Sequence, residues 1–394
     1  MFYLGIDVGK FSHSLCLIDE TGRHHIWQVN NDKSGFELLG KKLEALNLVF
    51  TSSNLLVGME ATGHYFLNLY DFFLSLGLPA GSIALLNPLQ VKSFRNTNLR
   101  GGKSDNIDAE QIAVLLQFGN FDRCNVSTDH IMNLRELTRL KSDLTSNLGN
   151  LKRKMIGVID RVFPEFARIF QNKFGLTVVA LLTDYQTPEE FAALSLEELT
   201  TLIKGLSKRG VNQDKIKRLY DAARNSIGIS FGKESFKIEL SILLEQLKKL
   251  GEQIDFLEDK IAELVNGLNS PIFTIPGIGK TTGAAILAEI GDISHFDSAV
   301  KLIAFAGLDP KLKSSGTYQG RTPISKRGSK YLRNALWYSA MVLCRTDEKF
   351  HKQYQDRRKL DKSHRYAVTA AANKLTKIVY HVLKNNCIYD PKLA

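Results

Sequence analysis

Leu4-Gly5-Ile6-Asp7-Val8-Gly9-Lys10 is an apolar run that breaks at a glycine and carries one acid near its middle. It reads as the end of a first strand, Phe2–Val8. Leu55-Leu56-Val57-Gly58-Met59 has the same buried character and delivers Glu60 at its end. A third stretch, Ser104-Asp105-Asn106-Ile107-Asp108-Ala109-Glu110-Gln111-Ile112-Ala113, is amphipathic. On a helix its two aspartates, three residues apart, share a face. Asp7, Glu60, Asp105 and Asp108 can therefore converge on one point. Carboxylates crowded into one cleft resist ionisation, and hard cations relieve that repulsion. Mg²⁺ takes oxygen ligands and keeps waters for substrate phosphates. Two such ions about 3.5–4 Å apart clamp the attacking and leaving oxygens of a phosphoryl transfer. The plainer reading is four surface acids near strand ends and a helix N-terminus, where acids are common.

Around these acids the first hundred residues alternate in a regular way. Strands are expected at Phe2–Val8, Ser12–Ile18 and His24–Val29, with turn signals at Gly9-Lys10 and Glu20-Thr21-Gly22. Phe36, Leu39, Leu43 and Leu46 recur at helical spacing over 32–46. Strand 55–59, a helix over about 64–76 and a short strand at 82–86 follow. Three early strands and then strand–helix alternation imply a mixed α/β sheet. That order matches the ribonuclease H-like fold, in which acids from the first strand, the fourth strand and a late helix meet at one sheet edge. Lys92-Ser93-Phe94-Arg95-Asn96-Thr97-Asn98-Leu99-Arg100-Gly101-Gly102-Lys103 has four cations and no acid. It is expected to be a mobile basic loop beside the acids, able to hold a phosphate backbone; a merely solvated loop is the alternative.

The totals fit a nucleic-acid partner. The chain has 394 residues, 52 Lys+Arg against 41 Asp+Glu, and a formal net charge of +11. A basic balance favours polyanions. Cys16, Cys124, Cys344 and Cys387 form no C-x-x-C, which argues against a zinc cluster and fits a reducing cytosol. The N-terminus enters a strand at once, so no signal peptide is expected, and no run approaches the roughly 20 apolar residues of a membrane span. A cytoplasmic protein, nucleoid-associated when active, is the expectation.

Two heptad helices follow. Leu134, Leu137, Leu144, Leu148, Leu151, Met155, Val158 and Val162 alternate in steps of three and four, with Lys141 in one core slot. Phe236, Leu240, Leu243, Leu247, Leu250, Ile254, Leu257, Ile261 and Leu264 do so more cleanly. Coiled coil is expected; pairing within one chain or between chains stays open. The segment 166–235 between them reads as helical, with a basic tract at Lys204, Lys208, Arg209, Lys215, Lys217 and Arg218 and no catalytic motif.

Toward the C-terminus, Gly279-Lys280-Thr281 tempts a phosphate-loop reading, but the glycine needed five residues earlier is Thr274. Ile275-Pro276-Gly277-Ile278-Gly279 before a small-residue helix reads instead as a helix-hairpin-helix element. Gly277, Gly279 and Lys280 there can approach a DNA phosphate; a tight turn between packed helices is the alternative. From Lys311 to Arg333 there are seven cations and no acid, including Lys313, Arg321, Lys326, Arg327, Lys330 and Arg333. Ser314, Ser315 and Gly316 sit among them in a flexible turn. On spacing alone this is a basic DNA-contact loop with incidental serines, although clustered Arg and Lys can stabilise a pentacovalent phosphate. The end, Asn385–Ala394, is expected to fray.

Together these parts resemble a known family. Gly5-Ile6-Asp7-Val8-Gly9-Lys10, Gly58-Met59-Glu60-Ala61-Thr62-Gly63 and Lys103-Ser104-Asp105-Asn106-Ile107-Asp108-Ala109 resemble the acidic motifs of the DEDD transposases of a bacterial insertion-sequence family, now described as bridge-RNA-guided serine recombinases. Ile275–Gly279, Ser314-Ser315-Gly316, Ile324-Ser325-Lys326-Arg327-Gly328 and Leu332-Arg333 resemble its C-terminal transposase domain. The resemblance covers nearly the whole chain in order. It implies a RuvC-like domain whose four acids, here Asp7, Glu60, Asp105 and Asp108, bind Mg²⁺. It implies a serine that attacks DNA and forms a covalent phosphoserine link, here Ser315 with Ser314 as rival. It also implies a composite site shared between subunits of a homo-oligomer, a dimer or tetramer, and a structured non-coding RNA that pairs with donor and target DNA. The matching organisation is a RuvC-like domain at 1–128, coiled-coil helices at 129–165 and 236–268, an insert at 166–235 and a mainly helical serine transposase domain at 269–394. The competing readings are a RuvC-like DNA junction endonuclease without a serine nucleophile, a coiled-coil scaffold with an idle acidic site, and an actin-like or sugar-kinase ATPase suggested by Asp7-Val8-Gly9.

Overall fold

The computed structural model describes residues 1–46, 54–60, 64–86, 88–95, 104–121, 123–124, 129–207, 212–311, 314–315, 318–319 and 323–393. It divides into two compact units, Met1–Val126 and Ser127–Ala394.

The first unit is built on a six-stranded mixed sheet. Its elements run β1 (Phe2–Val8), β2 (Ser12–Ile18), β3 (His24–Asn30), α1 (Lys33–Glu44), β4 (Leu55–Glu60), α2 (Phe66–Ser75), β5 (Ile83–Leu86), α3 (Pro88–Arg95), α4 (Asp105–Phe118) and β6 (Arg123–Cys124). The strand order is β3-β2-β1-β4-β5-β6. β1 pairs antiparallel with β2 and parallel with β4, with Gly5 opposite Gly58 and Ile6 opposite Met59. Apolar side chains fill both faces. Leu4, Ile6, Val57 and Met59 join Leu39, Leu43, Leu69 and Phe73 on one side. Leu56, Ala84 and Leu86 join Ile112, Leu115 and Leu116 on the other. Lys92–Arg95, expected as loop, are the second half of helix α3. The Asn87-Pro88 step explains the correction, since proline is pre-organised for the first helical position, and Val91 behind it is buried.

The second unit is helical. α5 (Asp129–Val162) and α11 (Lys233–Asn266) are its long members. Between them lie α6 (Phe166–Ile169), α7 (Leu176–Asp184), α8 (Pro188–Ala192), α9 (Leu196–Leu206) and α10 (Gln213–Arg224). The rest is α12 (Lys280–Ile290), α13 (Ala299–Phe305), the two-residue strands β7 (Ser314–Ser315) and β8 (Tyr318–Gln319), α14 (Lys330–Thr346), α15 (Glu348–Lys359) and α16 (His364–Lys384). The heptad helices pack on each other within the chain. Lys141, the polar intruder in the apolar series, meets Glu258 of α11 at 2.8 Å. Burial along the pair is concentrated at its ends. Leu134, Ile261 and Val265 pack with Ala284 and Ala288 of α12. Leu151, Met155, Val158 and Leu240 join Phe163, just past α5, and Phe166, Phe191, Ile203 and Ile216 of the intervening helices in a core of their own. The C-terminal tail, expected to fray, is held through residue 391. The Tyr389 amide donates to the Thr274 hydroxyl (2.9 Å), and Lys349 donates to the Pro391 carbonyl (2.8 Å).

Candidate active-site elements

The acidic residues lie where strand alternation and one helix crossing put them. Gly5 and Gly58 sit directly beneath α4. A Cβ on Gly5 would lie 2.2 Å from the Ala109 carbonyl oxygen and 2.3 Å from the Ala113 nitrogen. One on Gly58 would meet the Leu116 side chain at 2.7 Å. Only glycine lets the helix come this close. Side chains two residues apart on a strand share a face, so Asp7 and Glu60 project on the α4 side of the sheet. Continuing the Ile6–Met59 register by one step sets them side by side. The helix runs from the ends of these strands toward their beginnings: Ala109 and Ala113 cover Gly5, while Leu115 and Leu116 share a cluster with Leu56. Its first turn, with Asp105 and Asp108, therefore starts at the Asp7–Glu60 end. Ser104 caps it by accepting from the Ile107 amide (3.4 Å). Asp108 is 6% exposed, Asp7 and Glu60 are half-buried, and Asp105 is exposed. The donor set is carboxylate oxygen throughout, which suits a hard divalent cation. Among the described residues no three His, Cys, Asp or Glu side chains stand close enough together to hold a metal ion. The fold thus brings the acids to one face and one end without closing a coordination shell.

The two serines belong to the second unit. They form β7, with Ser314 opposite Gln319 and Ser315 opposite Tyr318. Their side chains lie outside the described residues, as do Arg95's side chain and all of Arg100, Lys103, Lys313 and Arg321. Backbone hydrogen bonds close the chain on either side of these two strands. The Lys311 amide donates to the Pro323 carbonyl (2.7 Å), the Ser325 amide to Asp309 (2.7 Å) and the Lys326 amide to Gly307 (3.0 Å). The Ser325 hydroxyl donates to the Asp309 carboxylate. Gly307, at φ +63°, has no room for a Cβ beside the Arg333 guanidinium and the Lys326–Arg327 backbone.

Below those bonds is a charged network that no sequence motif announces. Glu289 of α12 is 4% exposed. It accepts from Arg139 Nε (2.6 Å) and Nη2 (3.1 Å) of α5. It also accepts from the Ser329 hydroxyl (2.6 Å), and Ser329 in turn caps α14 through the Leu332 amide (3.0 Å). The hydrogen-bonded Glu289 carboxylate raises the Arg139 pKa above the ordinary arginine value, against burial. Arg135 donates to the Ala288 carbonyl (2.7 Å), and burial lowers its pKa. The one signal in the sequence is Glu289 itself, the lone acid in a helix whose residues after Lys280 are otherwise apolar or small. Beside the network, α5, α12 and α14 enclose a cleft of about 460 Å³ lined by Lys141, Arg153, Thr281, Thr282, Lys330 and Tyr338.

The remaining expected phosphate contacts divide. Lys92, Lys326 and Arg327 are exposed. Lys330 pairs with Asp143 (3.3 Å), and Lys280 donates to Asn266 (2.9 Å). Gly279 is the N-cap of α12 and borders open space. Gly277, at φ +80°, is instead pressed on α14, where a Cβ would lie 2.9 Å from the Ser339 carbonyl oxygen. Packing accounts for that glycine. Arg333 turns inward and donates to the Ala306 carbonyl (2.9 Å), with its pKa lowered by burial.

Comparison with known proteins adds to this geometry. Residues 4–164 match a DEDD transposase family, and residues 269–355 match the transposase IS116/IS110/IS902 family. Together the matches span more than half of the chain. An insertion element IS900 protein of Mycobacterium paratuberculosis is 25% identical over 99% of this chain and 97% of its own length. The transposase for insertion sequence element IS1111A of Coxiella burnetii is 25% identical over 98% and 90%. A pilin gene-inverting protein of Moraxella bovis is 24% identical over 99% and 98%.

Proposed function

This chain belongs to the IS116/IS110/IS902 family of transposases, enzymes that cleave and rejoin DNA, and we propose that it does so through two centres, a carboxylate group in the sheet unit and a serine hydroxyl in the helical unit. The observation that carries the reading is the side-by-side register of Asp7 and Glu60 at the first turn of α4. A strand order of β3-β2-β1-β4-β5, with acids on the first and fourth strands, supports a ribonuclease H-like, RuvC-like domain.

Asp7, Glu60, Asp105 and Asp108 would hold divalent metal, with two Mg²⁺ ions as the specific expectation. Bound there, the cations would neutralise charge developing on phosphate oxygens. Ser315 supplies the nucleophile. Its hydroxyl gives up a proton, its oxygen bonds to phosphorus, and the bond to the departing strand's oxygen breaks as that oxygen takes up a proton. Attack by the incoming strand's hydroxyl on the phosphoserine reverses the step and frees the serine. The exposed Lys326, Arg327 and Arg153 provide positive surface for donor and target DNA, while Lys141 and Lys330 beside Arg153 share their charge with Glu258 and Asp143. A structured guide RNA would read sequence by base pairing while protein contacts hold backbone shape. A homo-oligomer would bring the carboxylates of one subunit to the serine of another. These last two statements rest on the family resemblance.

The test is a covalent adduct. Wild-type protein with Mg²⁺ and a DNA substrate should leave a protein–DNA species on a denaturing gel. Ser315→Ala should abolish it, while Ser314→Ala should leave it. Strand cleavage that survives Ser315→Ala with no adduct would favour the junction endonuclease reading. Sequencing of RNA that co-purifies with the protein tests the guide: a defined non-coding species from the flank of its own gene is expected.

A further inference from the structure

The last two long helices enclose a cleft with an unusual charge pattern. α15 contributes Gln353 and Arg357, one turn apart, and α16 contributes Asn373, Lys374, Lys377 and His381. The spacings of three and four put each set on one helix face. The cleft holds about 510 Å³, and no acid lines it. The acid nearest in effect is Asp347, whose carboxylate accepts from the Phe350 amide (2.9 Å) as the N-cap of α15. Several cations elsewhere in this unit are answered by acids, as with Arg139–Glu289, Lys141–Glu258 and Lys330–Asp143. Here the cations face one another. Burial lowers the Lys374 pKa, and the neighbouring Lys349 and Arg357 lower it further against Asp347. Arg357 uses one nitrogen on the Gln353 carbonyl (3.0 Å). Asn373 donates to the Leu308 carbonyl (3.3 Å) and leaves its buried Oδ1 without a partner.

We propose that this cleft is a second nucleic-acid site, in which Arg357, Lys374 and Lys377 grip consecutive backbone phosphates of a bound polynucleotide. A bare surface lysine row would be spread along a convex face. These groups instead share a concave space flanked by amide groups, which can take the hydroxyls and ring N–H groups beside a phosphodiester. All but Gln353 lie beyond the two family matches, which end at residue 355. The proposal needs no cleavage step, so it stands or falls independently of Ser315.

Fluorescence anisotropy with the full-length protein tests it, using duplex DNA and single-stranded RNA as separate probes across a range of salt. Arg357→Gln with Lys377→Gln should lower the slope of log affinity against log salt by about two on at least one probe. At physiological salt, affinity should fall roughly tenfold or more. Lys352→Gln with Lys359→Gln removes the same amount of charge from α15 alone without touching the cleft, and should change the slope by less than half as much. A thermal melt of each variant checks folding. Equal losses in the two double variants would reduce the effect to net charge and overturn the site. Displacement of both probes by inorganic phosphate at low millimolar concentration, with the variant losing phosphate binding alone, would make it a free-anion pocket and overturn it equally.

Discussion

In the first unit, the positions of Asp7 and Glu60 follow from their own strands: one glycine two residues earlier, a pleat of period two, and a parallel register fix where each carboxylate points. In the second unit, the hairpin carrying Ser314 and Ser315 is located by contacts from far away in the chain. Glu289 ties Ser329, at the root of α14, to Arg139, which lies 150 residues before Glu289 in the chain. Asn373 reaches back 65 residues to Leu308, and Arg333 holds Ala306. Local geometry positions one proposed centre, and a polar network of distant residues holds the root of α14 that follows the other. The first kind of placement should tolerate damage to distant side chains, and the second should not.

The largest effect expected is at the local centre. Asp7→Asn keeps size and strand propensity but removes a charge that would neutralise metal. Strand cleavage should fall by roughly a thousandfold, equal to about 4 kcal/mol of transition-state stabilisation. The melting temperature should hold. Cleavage within tenfold of wild type would remove Asp7 from the chemistry and with it the link between strand register and function.

The distant network should respond the opposite way, through stability first. Glu289→Ala strips Arg139 and the Ser329 hydroxyl of their shared acceptor. A fully buried pair costs about 3–5 kcal/mol when broken. The Arg139 side chain is 37% exposed and can rehydrate, so a loss of about 2–3 kcal/mol is expected from denaturant melts. Glu289→Gln retains an acceptor for Ser329 and should lose about half as much. Equal stability of the alanine variant and wild type would show that the hairpin root does not depend on this contact.

The same contrast governs how much of each unit its sequence discloses. The sheet unit is legible because period-two apolar runs state both their partner face and their register. Its first five strands lie at or within a residue or two of the expected ends, the two-residue β6 is unexpected, and the Asp105–Asp108 helix begins where its acids begin. Lys92–Arg95 departs from expectation because a basic composition suggests a loop, while the proline at residue 88 starts a helix. The tail departs because the contacts that hold Tyr389 and Pro391 belong to Thr274 and Lys349, which no local pattern connects. Arg139 is silent in the sequence for the same reason, being ordinary in its own helix; Glu289 stands out only as the lone acid of α12, and nothing in the sequence names its partner. The heptads announce two long helices. They do not announce that other helices cover both ends of the pair while Leu144, Leu148, Leu250 and Ile254 stay half-buried.

Gly5→Ala sharpens the local case. The added methyl would sit 2.2 Å from the Ala109 carbonyl oxygen, which is backbone and cannot rotate away. Helix α4 must shift, at a cost of about 1–3 kcal/mol. The shift would carry Asp105 and Asp108 away from Asp7, so cleavage should drop more than stability alone explains. If activity instead tracked the folded fraction measured by circular dichroism, the acids would not need the close crossing.

The smallest effect expected is at Lys141. Its ammonium lies 2.8 Å from Glu258 Oε1, with the two side chains 22% and 46% exposed. A pair this wet gains little over water, and measured couplings of its kind stay below about 1 kcal/mol. Lys141→Met restores the apolar series and should leave stability within about 1 kcal/mol of wild type in either direction. A double-mutant cycle with Glu258→Gln isolates the coupling. A value above about 2 kcal/mol would place this pair with the Arg139–Glu289 network rather than with ordinary surface charge. A small value leaves the lysine a different purpose. An apolar residue there would let α5 slide against α11 by a heptad at little cost, whereas a cation that must meet one carboxylate allows a single alignment. The methionine variant should then keep its stability and lose uniqueness, seen as broadened amide resonances along both helices. Stability and specification would be separable at this position, which they are not at Glu289.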